Sequence, residues 1–312
     1  MPGACVPGER AYTPALMPTT TPRSTKKSRR THPAAPAKLT ARTADRHELY
    51  QAAVQNVEAE IDFVDRVYRK LRGRPAARLR EDFCGTGNTS CEWVRRRKGN
   101  VAVGLDIDAP TLAWGMKHNV ARLTEEQRSR IHLLERDVLK PGPRTKGNPA
   151  VGVDCVLAMN FSYYLFMERR TLLEYFRSVH RSLAPDGVFF QDQYGGAEAH
   201  TVTVDRKPVT LDDGRKFTYL WDQHGFNPID HEMDCRIHFE FPDGTRMRNA
   251  FRYHWRLWSL PELRELLAEA GFRKTTVYWE GDDGEGGGNG IFRPTERGEP
   301  CPAFICYLVS EK

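Results

Sequence analysis

Between Pro75 and Gln193 five short apolar runs alternate with stretches of helical periodicity, and no other feature of the chain limits its fold as much. The runs are 78–83, 101–107, 131–135, 153–159 and 188–193, and the helical stretches are 88–97, 110–123 and 168–184. Strands separated by helices return by crossovers and not by hairpins, which builds a doubly wound, mostly parallel α/β sheet with helices on its faces. The third connection, 140–148, is rich in Pro, Gly and Lys and is read as a loop. Thr124 and Gln127 have the spacing of a capping box just before the third strand.

Upstream, Leu49, Ala53, Val57, Ile61, Val64, Tyr68 and Leu71 recur at three- and four-residue spacing, predicting one helix from Asp45 to Gly73. Residues 1–43 hold Pro, Thr, Ala and eight basic residues against one acid, with too little apolar surface to offset the entropy of ordering, and are expected to be a disordered tail. Beyond Gly195-Gly196 the pattern changes to 202–211, 216–222, 233–241 and 246–255, with turns at Asp212-Asp213-Gly214 and Pro242-Asp243-Gly244 that mark antiparallel hairpins. Ser259 and Glu262 open a further helix that Gly271 closes; strands 273–279 and 303–309 then flank an acidic, Gly-rich segment, 280–290, read as a mobile lid or a plain surface loop. The expected division is a tail at 1–43, a parallel core at 44–195, an antiparallel insertion over the crevice at 196–258, and a core-completing end at 259–312.

The formal net charge of +6 resides in the tail, so the near-neutral remainder carries no electrostatic footprint for nucleic acid. No apolar run approaches the roughly 18 residues of a membrane span. Seven cysteines without a C-x-x-C pair indicate neither a disulfide framework nor a zinc site, so no metal and a reducing, cytoplasmic setting are expected. The first thirty residues lack the apolar core of a signal peptide, and their prolines oppose an amphipathic transit helix.

The chemistry concentrates at strand ends. The first strand runs Glu81-Asp82-Phe83-Cys84-Gly85-Thr86-Gly87 into a helix; a Gly-x-Gly turn there lets backbone approach a ligand and aims helix N–H groups at it. The second ends in Asp106-Ile107, where a carboxylate about 20 residues past the glycines is placed to accept two ribose hydroxyls. The third ends in Asp137-Val138, an acid and an apolar neighbour suited to an adenine amino group and ring face, and the fourth in Asn160. Four polar strand ends in succession define one crevice. Cys84 has no His in its motif and is read as packing.

With Glu81 to Gly87, Asp106 and Asp137 in order, and the turn from Leu183 to Gly187, the chain resembles the class I S-adenosylmethionine-dependent methyltransferases, which have a Rossmann-like fold. The resemblance spans roughly 45–312. It implies S-adenosylmethionine as cofactor, with Glu81 toward its methionine part, Asp106 on the ribose and Asp137 at the adenine, and Gly85, Thr86, Gly87, Ile107, Val138 and Asn160 completing the site. Where the family pattern has a glycine two residues before Gly85, this chain has Phe83.

The same resemblance implies methyl transfer by in-line displacement to an O or N atom of a small molecule. Tyr163, Tyr164, Tyr194, Arg256 and Trp258 are the expected acceptor-binding residues, because aromatic and polar groups cluster after the fourth and fifth strands. His254, His224, His238 and Asp192 are candidate bases. The alternatives are a nucleic-acid or protein methyltransferase tethered by the basic tail, or a cofactor-binding protein without turnover. A binding that tracked the tail and fell steeply with salt would mark the first alternative.

Overall fold

The computed structural model describes residues 38–145, 147–284 and 287–312. Helices α1 (Arg46–Val54) and α2 (Val57–Arg72) precede the first strand, β1 (Arg78–Asp82). Then come α3 (Asn88–Arg96), β2 (Val101–Asp106), α4 (Ala109–His118), the single-turn α5 (Glu125–Arg128), β3 (Ile131–Glu135), β4 (Val153–Ala158), α6 (Arg169–Ser182) and β5 (Leu183–Gly195). These five strands run parallel in the order β3-β2-β1-β4-β5, as the strand–helix alternation requires. Asp82 pairs with Leu105 and Asp106 with Glu135, so β1, β2 and β3 end at one level and their following loops share one rim.

An antiparallel insertion follows: β6 (Thr203–Thr210), β7 (Lys216–Phe226), β8 (Glu232–Glu240) and β9 (Arg246–Arg256) form a separate four-stranded sheet in sequence order. After α7 (Leu260–Glu269), strands β10 (Lys274–Asp282), β11 (Gly288–Thr295) and β12 (Phe304–Glu311) return to the first sheet. The last of them, β12, lies between β5 and β10 and is antiparallel to both. Of segment 280–290, expected as a lid or loop, residues 280–282 and 288–290 instead belong to strands β10 and β11 at the sheet edge, where Asp282 faces Gly288.

Two further expectations change. The single helix from Asp45 to Gly73 is two, because Gln55 is extended and Asn56 caps α2 through its side chain on the Ala59 N–H. The break lets one apolar stripe serve two cores: Leu49 and Ala53 bury against Phe217, Tyr219 and Phe239 of the antiparallel sheet, while Ile61, Val64 and Tyr68 bury in the parallel core. Of the expected tail 1–43, residues 1–37 lie outside the described residues. At 38–43, Leu39 is buried in the second core and the Ala41 N–H donates to Thr245 Oγ1 at 3.0 Å, so the folded part begins before residue 44.

Candidate functional site

Above the level ends of β1, β2 and β3 lies a crevice of about 990 Å³, at the upper end of the range for ligand pockets. Its floor is the strand-tip loops. Gly85 and Gly87 both have left-handed φ, 51° and 64°, and a Cβ on Gly87 would meet the Leu133 side chain at 2.8 Å, so both glycines are required by shape. Phe83 also has φ 56°; it keeps the glycine-like turn that the family pattern has here, at the cost of backbone strain, and packs against Phe166 and Tyr175.

Asp106 fixes this loop. One carboxylate oxygen accepts the Gly85 N–H at 2.8 Å and the other the Asp108 N–H at 2.9 Å, and the residue lines the crevice. Glu81 is buried and its Oε2 accepts from the N–H and hydroxyl of Ser90 at 2.9 and 2.5 Å, in the first turn of α3. It is not paired with the arginines beside it: Arg80 and Asp82 point to the opposite side of β1 and form a buried ion pair at 2.8 Å that also takes the Tyr175 hydroxyl. Asp137 accepts the Leu139 N–H at 2.9 Å and lines the crevice. Its neighbour Val138 is buried, whereas Ile107 and Leu165 stand exposed on the crevice wall and offer the apolar faces. Gly87 alone of the expected cofactor set is not on the wall; it seats the start of α3.

Three buried carboxyls lie at the floor and behind it. Burial pushes Glu81 up to about 7 and Asp192 up to about 7; burial and then the charges of Asp192 and Glu81 push Glu60 up to about 8. Asp192 accepts the N–H groups of Asn160 and Phe161 at 2.7 and 2.9 Å, and both of those residues have left-handed φ near 57°. The carboxylate holds the strained β4 end in place. Cys84 is buried and its thiol is pushed well above the usual range by burial, in keeping with a packing role.

The roof comes from two segments, of which the sequence marked the insertion but not the first helix. Arg46, His47 and Tyr50 of α1 and Gln55 just after it line the crevice; Gln51 Nε2 donates to Thr86 Oγ1 at 2.7 Å and Asn88 Nδ2 donates to Gln55 Oε1 at 3.1 Å, clamping the helix and its end to the glycine loop. The available signal was a pair of glutamines, Gln51 and Gln55, at the break between two helices. From β9, the edge strand of the second sheet, residues 249–255 complete the wall. Tyr50, Asn160, Tyr253 and Trp255 also border a smaller apolar chamber of about 50 Å³ opening from the same region.

The expected acceptor-binding and base residues need correction. Tyr163 and Tyr164 are fully buried and donate to the backbone carbonyls of Asp192 and Tyr194 at 2.7 and 3.1 Å. Trp258 is buried with its indole N–H on the Phe166 carbonyl, and Arg256 stacks on Trp258 at 3.8 Å while pairing with Glu262. None of these four lines the crevice; aromatic clustering in sequence had marked packing. Tyr194 lines the smaller chamber. Of the candidate bases only His254 is on the crevice wall, its Nε2 3.1 Å from Glu232 Oε2. His224 lies on the antiparallel sheet away from the wall, 3.6 Å from Asp222, and His238 is held between Asp222 and the Asn249 N–H. Asp192 is absent from the wall and is occupied by the 160–161 backbone.

No protein-family model matches the chain, and no curated protein sequence does. Solved structures do. An S-adenosylmethionine-dependent methyltransferase from Clostridium acetobutylicum superimposes with TM-score 0.61 at 13% identity, over 85% of this chain and 96% of the other. An amino pentose methyltransferase of calicheamicin biosynthesis from Micromonospora echinaspora, bound to S-adenosylmethionine, gives 0.59 at 17% identity, over 85% and 95%. A sugar N-methyltransferase from a Streptoalloteichus species gives 0.58 at 17% identity, over 93% and 99%. The fold is therefore the Rossmann-like fold of class I methyltransferases, to which this chain adds a separate antiparallel sheet. At these identities the shared property is the fold.

Proposed function

We propose that the chain is an S-adenosylmethionine-dependent methyltransferase acting on an O or N atom of a small molecule. The observation that carries this is the floor: Glu81, Asp106 and Asp137, one from the end of each of three adjacent parallel strands, all line one crevice beside a left-handed glycine turn at a helix start. The cofactor fits these groups. Asp106 keeps lone pairs beyond its two backbone bonds for ribose hydroxyls, Asp137 would accept from the adenine amino group, and Ile107 and Leu165 supply apolar faces for a flat ring. Glu81, with the backbone of 85–87, lies where the methionine part would end.

The cofactor supplies an electrophilic methyl on a sulfonium. The protein's part is to orient the acceptor in line with it and to exclude water, which can contribute roughly 7–11 kcal/mol. The roof from α1 and β9 encloses the acceptor's side. His254, oriented by Glu232, is the wall residue able to take a proton from an acceptor that needs to lose one.

Calorimetry with S-adenosylmethionine, followed by mass spectrometry of metabolite extracts incubated with methyl-labelled cofactor, tests the proposal. Micromolar binding and a labelled small molecule are expected. A folded protein that does not bind the cofactor would overturn it.

A further inference from the structure

The small chamber beside the crevice has a composition of its own. Tyr50, Tyr253 and Trp255 border both spaces, and Trp221, Phe161 and Tyr194 close the chamber behind them. Trp221, Tyr253 and Trp255 form one panel, with centroids 4.5 to 6.1 Å apart. Among the described residues no Lys, Arg or His lines the chamber. A carboxyl, and no basic group, lies behind it: Asp192 accepts from the backbone N–H groups of two lining residues, Asn160 and Phe161. Burial keeps the Tyr50 hydroxyl protonated well above its ordinary range, against a smaller opposing effect of its hydrogen bond with Tyr253.

Size narrows the occupant. A cavity of about 150 Å³ is what accommodates a benzene ring, and this one is about 50 Å³, room for a few heavy atoms. Aromatic faces without basic neighbours attract cations. We propose that the chamber receives a small alkylated ammonium group of the acceptor, so that the acceptor class is an amine already carrying alkyl groups. This rests on the methyltransferase reading for what happens next, but the binding itself does not require turnover.

The test uses a matched pair: protonated N,N-dimethylethanolamine and its neutral isostere 3-methyl-1-butanol, titrated into the protein with S-adenosylhomocysteine present, with tryptophan fluorescence as readout. The ammonium should bind about ten-fold more tightly than the alcohol. Tyr253→Leu should abolish that preference and Tyr253→Phe should keep it; Trp221→Leu, at a half-buried position, is the second variant should Tyr253→Leu not fold. Equal or tighter binding of the alcohol, binding of neither at tens of millimolar, or a preference that survives loss of the rings would overturn the inference. Calorimetry of the cofactor on the same preparation separates the outcomes, since its failure would strike the methyltransferase reading and leave the ammonium preference to be judged on its own titration.

Discussion

The floor and the roof of the crevice are built by different rules. On the floor, carboxylates hold main chain: Asp106 on Gly85 and Asp108, Glu81 on Ser90, Asp192 on Asn160 and Phe161. The roof is side chain against side chain, with Arg46 5.3 Å over the Phe251 ring, Tyr50 against Phe251, and Tyr253 against Trp255. Hydrogen-bonded main chain has one productive geometry, whereas an apolar wall tolerates repacking. The floor should therefore set the cofactor and the roof should set the acceptor.

The largest effect is expected where the two meet. Trp258 ties the end of β9 to the body through the Phe166 carbonyl, and Trp258→Ala should cost about 3–5 kcal/mol in chemical denaturation. A loss under about 1 kcal/mol would mean that roof and floor are joined elsewhere. Next, Asp106→Ala should weaken S-adenosylmethionine binding more than ten-fold, from loss of charge-assisted bonds of about 1.5–3 kcal/mol, while Tyr253→Leu should change it less than three-fold. Equal losses by calorimetry would erase the distinction between floor and roof. Leu39→Ala should then lower stability by about 1.5 kcal/mol, the low end for burying a Leu side chain, and a melting temperature unchanged from the parent would show that 38–43 adds nothing to the second core.

The smallest expected effect is a contrast in pH response. The floor carboxyls Glu60, Glu81 and Asp192 are raised, so they bind protons more tightly folded than unfolded. Their contribution to stability is greatest in mild acid, falls as pH rises above the ordinary carboxyl range, and levels off above about 8. On the antiparallel sheet Glu240 is lowered by its hydrogen bond from Arg206 and Asp234 by that from Arg236, so they lose stability only as pH falls below the carboxyl range. These latter groups are half-buried at the sheet surface and screened by solvent, and their share is small. Melting temperatures from pH 5 to 9 should decline with a slope that Glu60→Gln flattens; a slope untouched by that variant would remove Glu60 from the account.

How much was legible follows the same division. The parallel strands, their order of chemistry and the crevice-lining carboxylates Glu81, Asp106 and Asp137 could be read because each lies within a few residues of the strand end that positions it. The break at Gln55-Asn56 could not, since the apolar spacing runs through it unchanged and only the presence of two cores makes it necessary. Tyr163, Tyr164 and Trp258 misled because buried aromatic clusters and pocket walls have the same composition; what separates them is which partner their polar tips find. Strand β11 was missed in a glycine-rich stretch whose pairing with β10 supplies the order that its sequence does not.

The split between α1 and α2 also bears on how the chain is made. Helix α1 is synthesised early, yet its apolar face buries against strands that end only at Arg256. At about 5–20 residues per second, the roughly 200 residues between them correspond to a delay of some 10–40 s on the ribosome. During that interval Leu49 and Ala53 have no native surface to cover them, while most of the parallel core can already assemble around α2. Assembly of the roof is thus a late, long-range docking event, and Leu49 and Ala53 are where a holdase chaperone would find the nascent chain.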